Sequence, residues 1–139
     1  MSPEYSASTR PSGPALWSRL QDPRLLEFYA LLARQQQAAG EDWEPMVAMI
    51  GYVRSLEDAL RMFAFVSQRR LYLTTAARYV DCAGHHSVFV GWHPGARNYH
   101  LGYGSLDHAL GAEAEVEIHA AEHALPEVLA PLLHRLLST

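Results

Sequence analysis

Residues 87–103 read SVFVGWHPGARNYHLGY, and the fold turns on how this stretch is folded back on itself. Two apolar-aromatic segments, 87–93 and 98–103, flank Pro94, Gly95, Ala96 and Arg97, residue types that reverse a chain. The pattern predicts a β-hairpin. A loop centred between Gly95 and Ala96 sets Trp92 opposite Tyr99, Val90 opposite Leu101 and Val88 opposite Tyr103. Side chains alternate across a strand, so all of these share one face, the natural core side. The opposite face then carries Phe89, Gly91, His93, Asn98, His100 and Gly102.

The neighbouring segments extend this two-faced pattern. Residues 79–83, YVDCA, read as a strand that turns Val80 and Cys82 inward and brings Asp81 beside His93 and His100. Residues 114–119, AEVEIH, alternate polar and apolar, placing Val116 and Ile118 inward with Glu115, Glu117 and His119 outward. Alternation alone therefore gathers Asp81, His93, Asn98, His100, Glu117 and His119 into one polar patch. These are the candidate ligand- or metal-binding residues.

Helices are expected on the other side. Asp22 caps and Pro23 opens a helix with Leu25, Leu26, Phe28, Tyr29, Leu31 and Leu32 along its apolar face; Leu16 and Trp17 just upstream suit a staple over its first turn. Residues 43–53, WEPMVAMIGYV, hold a run of five apolar residues and read as a buried strand. A capping-box pattern, Ser55 with Asp58, then predicts a helix through ALRMFAFVSQRR, with a strand at 71–75. Ser105 caps a short helical segment, and 124–138 form a closing helix that Pro131 kinks or splits. The expected fold is α+β: a small two-layer domain, its mostly antiparallel sheet of four to five strands covered on one face by helices. Residues 1–14, rich in Pro, Ser and Thr, read as a disordered tail, and 15–139 as a single domain.

Composition narrows the function. The 139-residue chain is 49% hydrophobic with net charge −4, and all eleven of its basic residues are arginine. Without lysine, Schiff-base and phosphate-loop lysine mechanisms are excluded. Scattered arginines on an acidic chain do not make the concentrated cationic footprint that gripping a nucleic-acid backbone needs. No apolar run reaches a membrane span and no apolar leader opens the sequence, so a cytoplasmic setting is expected, in keeping with the single Cys82.

Among motifs, His119-Ala120-Ala121-Glu122-His123 has the spacing of an inverted zinc-peptidase string, but that chemistry needs both histidines on one helix, and His119 ends a strand. Cys82 near His85 and His86 suits a nucleophile pair only if its thiol leaves the core. Gly102-Tyr103-Gly104-Ser105 lacks the remainder of a phosphate loop, and Arg69-Arg70 reads as a solvated helix end. The expectation is a regulatory or protein-interaction protein without catalytic activity or cofactor, joined to a protein partner or to its own copy as a homodimer through its apolar helices. The alternative is a small metal- or ligand-binding enzyme using the His/Asp/Glu patch, with a divalent metal such as zinc or a small molecule bound there.

Overall fold

The computed structural model describes residues 15–81, 83–106 and 114–138. Six strands form one antiparallel sheet whose spatial order is its sequence order: β1 (Ala15–Arg19), β2 (Phe63–Ser67), β3 (Arg70–Thr74), β4 (His86–His93), β5 (Asn98–Ser105) and β6 (Ala114–Ala121). Helices α1 (Pro23–Gln37) and α2 (Glu44–Arg54) lie between β1 and β2 in sequence, and α3 (Leu125–Leu137) follows β6. All pack on one face, α3 across β4, β5 and β6 and α2 against β4. The α+β two-layer class stands, with six strands where four to five are expected.

The central hairpin has the register the loop requires, with Val88 opposite Tyr103, Val90 opposite Leu101 and Trp92 opposite Tyr99. All six side chains are buried in the main core with Leu71, Leu73, Met46, Ile50 and Leu129. Beyond β5, Val116 and Ile118 stand opposite Tyr103 and Leu101.

Four local expectations are overturned. Residues 44–54 are helix α2, not a strand. Met46, Met49, Ile50 and Val53 are its buried stripe, a helical period hidden because Val47 and Ala48 between them are apolar too. Gly51 is exposed within α2, with open space where a Cβ would stand. Gly51→Ala is expected to stabilise the protein by about 0.5–1 kcal/mol, read as a higher urea midpoint, since glycine in a helix interior costs that much. A neutral or destabilising result would contradict the helix.

The long helix expected from Ser55 shrinks to a 3-10 turn, Glu57–Arg61, after which the chain extends into β2. Ser55 instead ends α2, its hydroxyl donating to the Tyr52 carbonyl at 2.5 Å. The β2–β3 turn is made by Gln68 and Arg69, both left-handed at φ 54° and 66°, a conformation usually left to Gly, Asn or Asp. Leu16 and Trp17 belong to β1 rather than to a staple on α1. The strand expected at 79–83 is a 3-10 turn, Tyr79–Asp81, with Val80 exposed; Cys82 lies outside the described residues.

The helix at Asp22 forms as read: the carboxylate accepts from the Arg24 N–H at 2.9 Å, and Leu25, Tyr29, Leu32 and Ala33 are buried. α3 is continuous through Pro131, whose exposed position leaves its missing N–H on the solvent side. The proposed tail and the segment 107–113, which includes most of the helical turn expected after Ser105, fall outside the described residues.

Candidate functional site

The sheet face away from the helices carries at least one aromatic ring from every strand. Trp17 stacks on Phe65 with centroids 4.1 Å apart, Phe65 on Tyr72 at 4.8 Å, and Tyr72 meets Phe89 at 5.8 Å. Phe89 meets His100 edge-on at 5.1 Å, and His100 stacks on His119 at 4.6 Å. Such cross-strand ring contacts stabilise the pairing beneath them. Over the β1–β3 half, Ala76 and Leu106 close on Phe65 to make a second small core, and the Trp17 indole N–H donates to the Ala76 carbonyl at 3.0 Å. The β4–β6 half keeps His93, Glu117 and His119 exposed.

Of the residues singled out from sequence, His93, His100, His119 and Glu117 come together. His93 lies 5.8 Å, ring centre to ring centre, from both His100 and His119. His100 Nε2 is 2.8 Å from Glu117 Oε1. On its other side, the Arg70 guanidinium lies 3.5 Å from Nδ1. A neutral ring with its proton on Nε2 satisfies both contacts: it donates to Glu117 and accepts from Arg70. Burial favours this form by holding the His100 pKa below its ordinary value; Arg70 and His119 add to that, and Glu117 opposes it.

Asn98 lies opposite His93 on β5, with its Oδ1 enclosed and no donor to it among the described residues. Asp81 does not join the patch. With 79–81 out of the sheet, Asp81 pairs with Arg78 at 3.1 Å, and β3 takes the place beside β4. Arg70 therefore stands where the sequence pattern puts an acid, so His100 lies between a cation on one side and Glu117 on the other. Glu115, expected on the same outward side of its strand as Glu117, leaves that side. A register shift between Tyr103 and Gly104 carries it out of the alternation, and it pairs with Arg135 of α3 at 2.9 Å.

The His100 and His119 rings are nearly parallel, 8° apart, and His93 is inclined to them by 30° and 33°. Imidazole lone pairs lie in the ring plane, so stacked rings do not aim them at a common point. Among the described residues no group of three or more His, Cys, Asp or Glu side chains could hold a metal ion. The 119–123 string is split between β6 and a 3-10 turn, Glu122–Ala124, so its histidines do not share a helix.

No family model, curated protein or solved structure matches this chain. The site is therefore argued from its own geometry. Among the described residues, no helix is long and apolar enough to cross a membrane.

What sequence reasoning missed is Arg70 and the cleft beside it. About 230 Å³ of space lies at the rim of the sheet, between the β2–β3 turn and the projecting end of β4, with Gln68, Arg69, Arg70, Gly91, His93 and His100 in its lining beside Trp43 and Trp92. The Arg69-Arg70 pair was the available signal. Its meaning depends on a hairpin that the local sequence does not announce.

Proposed function

We propose that this chain is a regulatory or protein-interaction protein that works without catalysis, as a homodimer joined through β6. The observation that supports this reading is the outer edge of β6. It is eight residues long and, among the described residues, has no strand beyond it. Such an edge is a template for another strand. Most of the apolar surface of α1, α2 and α3 is taken up by their own core, with Leu31 of α1 left exposed, so the edge of β6 is favoured over the helices as the dimer surface.

β6 favours its own copy in one register. Antiparallel pairing about Ile118 sets Glu117 opposite the partner's His119, and the reverse, on the open face. Centring the pair on Glu117 or on His119 would instead face each of those residues with its own copy. Complementary cross-strand pairs contribute about 0.2–1 kcal/mol each and like charges cost a similar amount, so the edge discriminates between registers. A cytoplasmic setting belongs to the same proposal and rests on the single cysteine, which needs no oxidising compartment.

Sedimentation equilibrium tests it. His119→Glu puts carboxylates face to face at both symmetric positions and is expected to weaken the dimer about tenfold. Adding Glu117→Lys restores opposite charges across the edge and should recover most of the loss. A wild-type chain that stays monomeric at high concentration, or a dimer indifferent to both changes, overturns the reading.

The ligand-binding alternative is favoured by a different observation, the Arg70–His100–Glu117 hydrogen-bonded chain beside a cleft.

A further inference from the structure

We propose that the cleft between the β2–β3 turn and the end of β4 binds a phosphate group, free or as a small phosphate ester. Arg69 and Arg70 both line it. Several other arginines meet carboxylates, Arg97 reaching Asp42 and Glu122 and Arg135 reaching Glu115, although Arg54 donates to the Gln21 carbonyl and Arg19 lies over Phe63. Among the described residues neither Arg69 nor Arg70 has an acidic partner; each lies over an aromatic ring instead, Trp43 at 5.7 Å and Phe89 at 4.5 Å. Stacking of that kind occupies the flat face of a guanidinium and leaves its in-plane N–H donors for a ligand.

The donors approach from separate elements: Gln68 and Arg69 from the turn, Arg70 from β3 and His93 from β4, while His100 on β5 accepts from Arg70 and positions its guanidinium. A tetrahedral oxyanion uses donors from several directions, whereas one guanidinium already satisfies a planar carboxylate. Glu117 sits on the far nitrogen of His100, and Glu41 accepts from the indole N–H of Trp43; neither carboxylate is part of the cleft's lining. Gly91 lets Arg70 lie close to the sheet, since a Cβ there would stand 3.2 Å from Arg70 Cγ. The left-handed backbone at Gln68 and Arg69 holds the turn in its place. All the lining residues come from one copy of the chain and none from β6, so the site stands whether or not the dimer forms.

Calorimetric titration with inorganic phosphate and with glycerol 1-phosphate, in chloride buffer at fixed ionic strength, tests the site. Saturable one-to-one binding of at least one probe is expected. Tighter binding of glycerol 1-phosphate assigns the site to an ester, and equal binding to the phosphate group alone; both support it. Arg70→Gln should weaken binding about tenfold or more, as loss of a charge-assisted hydrogen bond does. Arg69→Asn, which keeps a residue tolerant of the left-handed backbone, should do the same if Arg70→Gln fails to fold. Arg34→Gln on α1, outside the cleft, should leave binding unchanged. Absence of saturable binding by both probes, or equal affinity in the wild type and the cleft variants, overturns the proposal.

Discussion

Gly102→Ala is expected to cost about 3 kcal/mol, near the upper end for overpacking a dense site. The Phe89 ring lies flat over Gly102. A Cβ added there would collide with Phe89 Cε2, come within 2.5 Å of Cζ, and stand 2.9 Å from the Val116 carbonyl oxygen. The ring has little room to retreat, being packed between Tyr72 and His100 with the Arg70 guanidinium 4.5 Å away. The carbonyl belongs to the backbone of β6, and moving it disturbs the pairing of Tyr103 with Val116. For a chain of this length the melting temperature should fall by about 10 °C. Phe89→Ala in the same background removes the ring clash but not the carbonyl contact. The double variant should therefore lose less than the sum of the single losses by about 1 kcal/mol or more. A Gly102→Ala protein within about 0.5 kcal/mol of wild type would mean that the ring does not occupy this position.

The same glycine shows how far the sequence could be read. Its place on the open face, with Phe89 and His100, follows from the hairpin, because loop length and period-two alternation fix both register and face. That also brought His93, His100, His119 and Glu117 to one surface. Sequence reasoning failed where the deciding partner is distant or the local signal is degenerate. A continuous apolar run such as 46–50 fits a strand or a helix equally well. Ser55 and Asp58 have capping-box spacing, yet Phe63, Phe65 and Val66 find strands on both sides, β1 and β3, and tertiary pairing outweighs local helical preference. Gln68 and Arg69 carry none of the usual marks of a tight hairpin turn. The sequence pattern marks a strand at 71–75 but not β2 before it, and a strand read at 79–83 takes the place beside β4, which puts Asp81 where Arg70 stands. One misplaced strand reversed the charge expected beside His100 on the β3 side.

Trp92→Ala is expected to cost about 4 kcal/mol, within the range for truncating a buried tryptophan. Trp92 does more than fill the core. Its indole N–H donates to the Asp42 carbonyl at 2.7 Å, its ring lies 4.9 Å from that of Tyr99, and the Arg97 guanidinium sits over it at 5.4 Å. Arg97 in turn reaches the Asp42 carboxylate at 3.0 Å, and the Tyr99 hydroxyl donates to the Pro45 carbonyl at 2.6 Å. These contacts tie the β4–β5 hairpin to the connection between α1 and α2 and to the start of α2. Trp92→Phe keeps a ring and removes the N–H donor, so it should lose only about 1–2 kcal/mol, part of it from the smaller ring. The two variants should also separate in hydrogen exchange. If the ring is the latch, amides at the start of α2 open more readily in Trp92→Ala, by an increment larger than global destabilisation explains, while Trp92→Phe leaves them near wild type. A uniform loss of protection across helices and sheet would make Trp92 an ordinary core residue. A loss below about 1 kcal/mol in Trp92→Ala would deny that the indole is packed in the hairpin's inner face.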